Sequence, residues 1–371
     1  NALKAEDIDQ DGVSGFDNTL ILSSGDAIIP GLFFNASESV YGGRGRGDIL
    51  IQNALGVQAI AFGNHEFDLG TEVVRDLIAG DAEDNFPGTA FPYLSSNLDF
   101  STDSNLADLV VPDAQAPEPN SIAASVVIDV NGEKIGVVGA TTPTLPVISS
   151  PGDVTVNPQP FDGNPTSAQL DALAAEIQAD VDALLAANPD INKVVVLAHM
   201  QQLAIEQELA SRLSDVDIIV AGGSNTRLLD ETDRLRAGDT NQGTYPIFTT
   251  DADGNPVAVV NTDGNYKYLG RLVIDFDDNG VIIPDSYDSA ISGAYATDAQ
   301  GVADLGAEAL VDPQIQAIVD NLRDVVVQQE SNFFGISEVF LNGDRNSVRR
   351  QETNLGNLTA DANLALAQEV D

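Results

Sequence analysis

The 371-residue chain contains no cysteine, no tryptophan, a single methionine and only two histidines, His65 and His199. The missing cysteine excludes disulfides, thiolate nucleophiles, cysteine-ligated zinc and iron–sulfur clusters. It leaves the compartment open, because a secreted protein can also lack cysteine. Lysine is scarce, occurring only at Lys4, Lys134, Lys193 and Lys267. In all, 16 basic residues stand against 58 acidic ones, a formal net charge of −42. No basic surface can dominate such a field, which excludes a general nucleic-acid-binding surface. An anionic membrane surface is disfavoured for the same reason. No run approaches the ~20 apolar residues of a membrane span. There is no signal peptide and no starting methionine, so Asn1 is expected not to be the natural first residue.

What is present is core-forming material. Apolar residues make up 43% of the chain, which sets it apart from disordered acidic polymers. The length suggests about two domains. Abundant acid with little lysine suits solubility in salty water, where self-repulsion is screened. A marine or halophilic source, and a periplasmic or extracellular location, are the corresponding expectations.

Hydrophobic periodicity predicts alternating strands and helices. Helix is expected at Asn1 to Glu6, Asp48 to Leu55, Thr71 to Ala79, Ala204 to Leu213 and Pro313 to Gln329. The clearest helix is Thr166 to Ala187, with Leu170, Leu173, Ile177, Val181, Leu184 and Leu185 on one stripe. Strands are expected at Asn18 to Ser24, Val57 to Phe62, Ser125 to Val130, Lys134 to Ala140, Lys193 to Ala198 and Val216 to Ala221. Asn131-Gly132 reads as a hairpin turn, since both residues tolerate positive φ. Residues 285–311 read as a connector, and Asn332 to Leu341 as a strand. This is an α/β pattern whose sheet is covered on both faces.

Four strands end in polar loops: Gly25-Asp26, Gly63-Asn64-His65-Glu66-Phe67-Asp68, Ala198-His199 and Gly222-Gly223-Ser224-Asn225-Thr226. Sites in α/β sheets form beyond the carboxyl ends of strands. An Asp, an Asn and both histidines converge there, a set of hard oxygen and imidazole donors suited to metals.

The segment Gly63-Asn-His-Glu-Phe-Asp68 resembles the signature of calcineurin-like metallophosphoesterases of the 5′-nucleotidase branch. Ser24-Gly25-Asp26 and Leu197-Ala198-His199 support it in the right order. Gly343-Asp-Arg-Asn-Ser-Val-Arg349 through Leu358 resembles the opening of that branch's C-terminal substrate domain. The resemblance implies a four-layer αββα sandwich plus the start of an α+β C-terminal domain. The corresponding division is residues 1–290 for the metallophosphoesterase domain, 291–330 for a linker and connecting helix, and 331–371 for a truncated substrate-binding domain.

The resemblance also implies roles. Asp26 would bridge two divalent metal ions, with Asn64, His199 and Asn225 as further ligands. His65 would stabilise or protonate the leaving oxygen, with Asp68 orienting its ring. Arg345 and Arg349, with Asn64, would contact substrate. The implied reaction is two-metal hydrolysis of phosphate monoesters, nucleotides foremost, for extracellular phosphate scavenging. The metal identity (Zn, Mn, Mg, Ca or Fe) and the oligomeric state are left unspecified.

Three departures temper that picture. The Asp-x-His expected at the end of a first strand is absent, which suggests a fragment. Only about 40 residues of the second domain are present. Gly223 stands where a histidine ligand is usual, leaving Asn225 as an oxygen donor. The site would then take harder metals such as calcium or magnesium, recruit another carboxylate, or be inactive. The alternative function is a non-catalytic, secreted acidic binding or surface protein. Asp7-Ile-Asp9-Gln-Asp11-Gly12 copies the start of an EF-hand loop, a possible additional calcium site, although a solvated turn explains it equally well. An anionic substrate would meet long-range repulsion, which Arg44, Arg46, Arg345, Arg349 and Arg350 would have to reverse locally.

Overall fold

The computed structural model describes residues 1–6, 15, 18–333 and 335–370. Asp7, Asp9 and Asp11 of the EF-hand-like loop therefore lie outside the described residues. The chain divides into two compact units, Asn1–Val326 and Val327–Asp371.

The first unit is built on two sheets. The smaller contains four parallel strands, Leu22–Ser23 (β1), Ala59–Ala61 (β2), Tyr93–Leu94 (β3) and Ile122–Ala123 (β4), in the order β1-β2-β3-β4. The larger contains Ser125–Val130 (β5), Glu133–Thr141 (β6), Val194–His199 (β7), Ile218–Gly222 (β8), Ile247–Thr250 (β9) and Pro256–Val260 (β10). Its order is β9-β10-β8-β7-β6-β5. The central strands β6, β7, β8 and β10 run parallel, and both edge strands are antiparallel.

Side-chain alternation on β2 and β7 explains the layering. Val195 and Leu197 of β7 pack with Ala59 and Ala61 of β2 in a core between the two sheets. Val194, Val196 and Ala198 face the other way, onto Leu173, Ile177 and Val181 of helix Ser167–Ala187 and Leu209 of helix Leu203–Ala210. Ile60, Phe62, Tyr93 and Ile122 of the small sheet pack against Val74 and Ile78 of helix Thr71–Ala79. Helix, sheet, sheet and helix thus form four layers.

Local signals act within these elements. Thr166 caps helix Ser167–Ala187 through a reciprocal capping box with Gln169. Asn131 and Gly132 both adopt positive φ at the β5–β6 turn. Two expectations need correction. The expected connector contains a strand, Gly293–Ala296, paired antiparallel with Tyr268–Arg271, and a helix, Ala299–Asp304. Alanine and glycine are weak strand formers, so only the pairing partner makes this strand. Asn332 to Leu341 forms no strand among the described residues. Phe333, Ile336, Val339 and Phe340 there are exposed, and a strand without a ladder partner leaves its backbone groups unpaired. The second unit's regular elements among the described residues are helices, Arg345–Val348 and Asn354–Val370. No described helix is long and apolar enough to cross a membrane.

Candidate metal centre and its histidine dyad

Strand parity places His199. As the last residue of β7 it shares the face of Val195 and Leu197, toward the small sheet. A one-residue register slip would send it to the helix side. It is 1% exposed. Its Nδ1 lies 2.7 Å from the Ser24 carbonyl. That acceptor requires Nδ1 to carry the proton and leaves Nε2 facing the loops.

Nε2 lies 3.2 Å from Asp26 Oδ2 and 3.3 Å from Asn64 Oδ1. In the neutral tautomer three lone pairs therefore converge, an arrangement that calls for a cation. Without one a proton supplies the charge. Burial disfavours the charged imidazole, but the hydrogen bond and charge of Asp26, aided by Glu66, raise its pKa overall. Burial likewise pushes Asp26 up, and its contacts with His199 and His65 more than offset this, holding the carboxyl below its usual value. The donor set fits a divalent ion of intermediate hardness. Among the described residues no three His, Cys, Asp or Glu side chains are grouped to hold a metal. Amide oxygens must complete any such site, and the expectation of a recruited carboxylate is not met there.

The loop carrying Asn64 is shaped by two anchors that the sequence reading left without roles. Phe67 is buried against Phe62, their ring centroids 5.3 Å apart. Glu66 is also buried, accepting backbone N–H bonds from Asp26 (3.1 Å), Ala27 (2.8 Å) and Gly63 (2.8 Å). It thereby clamps the Asp26 turn to the Asn64 turn. Burial first, then the Asp26 charge, push its carboxyl up to about 7. Gly63 allows this close approach, since a Cβ there would run into Asp26 and His199.

With Glu66 and Phe67 turned inward, His65 and Asp68 turn outward. His65–Phe67 is a 3₁₀ turn, in which residues three apart eclipse. His65 Nδ1 consequently sits 2.5 Å from Asp68 Oδ2. Ser149 donates to the other oxygen of Asp68 at 3.0 Å. The His65 backbone N–H donates to Asp26 Oδ1 at 2.9 Å, so Asp26 joins the dyad to the lone-pair cradle.

Beyond β8, Asn225 is exposed, with its amide against Gly264. No hydrogen bond joins it to Asp26, Asn64 or His199 among the described residues. Gln201, which the sequence reading did not consider, donates through Nε2 to Asn64 Oδ1. Only its position two residues past His199 hints at this role. Arg345 and Arg349 belong to the second unit, at and just after its short helix. Arg46 is not available to attract an anion. It is buried and bonded to Asp76, Asp81 and Asp84. Arg44 pairs with Glu38.

No protein-family model matches the chain. A 5′-nucleotidase of Diplobatis ommata is 30% identical over 345 residues, covering 93% of this chain and 50% of that protein. The chain is a homologue of the 5′-nucleotidases. The trifunctional nucleotide phosphoesterase of Bacillus subtilis is 27% identical over 363 residues, covering 95% of this chain and 22% of that protein. The solved structure of a 5′-nucleotidase precursor from Thermus thermophilus superposes with a TM-score of 0.68 at 27% identity, covering 100% of this chain and 61% of that one. These matches agree with the metallophosphoesterase fold and its 5′-nucleotidase branch. The chain spans about half the length of the 5′-nucleotidases it matches.

Proposed function

We propose that this chain carries the cation-binding part of an exported phosphatase that hydrolyses phosphate monoesters, nucleotides foremost. One observation carries the reading: a lone-pair cradle (Asp26, Asn64, His199) linked through Asp26 to a half-exposed His65–Asp68 dyad. Divalent ions held at the cradle would neutralise phosphoryl charge and lower the pKa of a water. Asp26, Asn64 and His199 would hold one such ion, with Asp26 shared with a second.

The chain's own residues supply the remaining chemistry. Asp68 fixes the His65 ring through Nδ1, leaving Nε2 free to donate a proton to a departing alkoxide. The pair is reachable by solvent, with side chains 35% and 24% exposed, whereas His199 is not. Arg345 and Arg349 would bind substrate, since planar guanidinium groups suit phosphate. The excess of acid supports action outside the cytoplasm in a saline medium.

The test is hydrolysis of p-nitrophenyl phosphate and of AMP by the intact protein, before and after chelation. Activity that is lost with chelator and restored by Mn²⁺ supports the proposal. No turnover at any divalent ion favours the non-catalytic binding protein instead.

A further inference from the structure

The cradle around His199 Nε2 has a fourth wall. Gln201 lies two residues beyond His199, half-buried, with φ at +68°. Few non-glycine residues adopt this left-handed conformation. It turns the side chain back across the strand end, and the amide meets Asn64 Oδ1. Opposite it stands Gly223, just past β8. A Cβ at Gly223 would lie 2.8 Å from both His199 Nε2 and Gln201 Nε2. The space that any larger residue at 223 would take beside His199 is therefore held by the Gln201 amide.

That amide has two faces. Its NH₂ group donates to Asn64, which suits a cradle holding no cation. A half-turn about its last torsion exchanges nitrogen for oxygen with almost no change of shape, and the heavy-atom positions serve either orientation. Its oxygen would then face the same point as Asp26 Oδ2, Asn64 Oδ1 and His199 Nε2. We propose that Gln201 is a cation ligand, its amide oxygen filling the place left open by Gly223. The site becomes one carboxylate, one imidazole and two amide oxygens, a set weighted toward oxygen-preferring ions such as Mn²⁺.

This inference rests on the cradle being a cation site, and Mn²⁺ binding followed by electron paramagnetic resonance tests it without reference to activity. Gln201→Ala is expected to weaken Mn²⁺ binding about 10- to 100-fold. Gln201→Glu separates the two roles of the amide. A ligand carboxylate adds charge toward the ion and keeps or tightens binding. A mere hydrogen-bond donor to Asn64, replaced by a carboxylate, would instead repel Asn64 Oδ1 and weaken it.

Circular dichroism of each variant checks that the fold persists, and Gln201→Glu keeps the question decidable if the alanine variant does not fold. Unchanged binding in Gln201→Ala beside lost binding in His199→Ala would overturn the ligand role and leave the cation site standing. Wild-type binding in both variants, or no Mn²⁺ binding by the wild-type chain, would bring down the cradle reading together with it.

Discussion

The two histidines lie at neighbouring strand ends and share one partner, yet they occupy opposite environments. His199 is sealed, its Nδ1 directed to a backbone carbonyl and its Nε2 facing only acceptors. His65 is half-exposed and leans on a carboxylate that is itself hydrogen-bonded by Ser149. Burial with acceptors on both sides makes an imidazole a ligand. Solvent access with one carboxylate makes it a proton donor. Asp26 serves both, through Oδ2 to His199 and from Oδ1 to the His65 backbone. The same residue type therefore gains two functions from the direction of its ring and its access to water.

The largest expected effect comes from breaking the sealed side. His199→Ala should abolish Mn²⁺ binding and reduce phosphatase activity to the chelated level, measured by resonance titration and steady-state hydrolysis. Retained Mn²⁺ binding would contradict its role as a ligand. His65→Ala should lower kcat about 10²- to 10⁴-fold while leaving Mn²⁺ binding unchanged. Equal loss of both would merge the two histidines into one role.

Ser149→Ala tests the dyad more gently. Removing one hydrogen bond from Asp68 is worth about 0.5–1.5 kcal/mol, or about a two- to thirteenfold fall in kcat. An unchanged kcat would make Ser149 incidental.

The smallest effect concerns the support beneath His199. Glu206 is fully buried, accepts from the Met200 backbone at 3.0 Å and has no partner for its other oxygen. Burial pushes its carboxyl up to about 8, from an ordinary 4.5. Between those values the folded form holds a proton that the unfolded chain has released. Its contribution to stability is full below about pH 4.5 and is lost as the pH rises toward 8. Glu206→Gln should therefore raise the melting temperature by a few degrees at about pH 9 and scarcely at all at about pH 5. An equal change at both would show that the proton is not involved.

Much of the frame was legible because its signals are local. The stripe from Leu170 to Leu184 lies within a single helix, and Asn131-Gly132 carries its own conformational preference. The turn with His65 and Asp68 was legible as a motif, and its 3₁₀ geometry explains their meeting. The anchoring role of Glu66 was not legible, since its partners Asp26 and Ala27 lie about 40 residues away in sequence. The strand Gly293–Ala296 escaped for a related reason. Its composition says connector, and only Tyr268–Arg271 beside it makes a ladder. Asn332 to Leu341 shows the converse, an apolar run that looks like a strand and finds no partner to pair with among the described residues.

The sequence by itself determined which groups reach the site: hard oxygens and imidazole only, since cysteine is absent, placed at the carboxyl ends of apolar strands. It also determined the acidic surface against which any anionic substrate must approach. Tertiary structure alone decided which of those groups meet. His199 joins Asn64 across 135 residues, and Ser24 joins Ala221 across 197. It also decided that Gln201, rather than a residue at 223, fills the space beside His199. Such contacts depend on strand register and on the spacing of two packed sheets, which no local stretch of chain encodes.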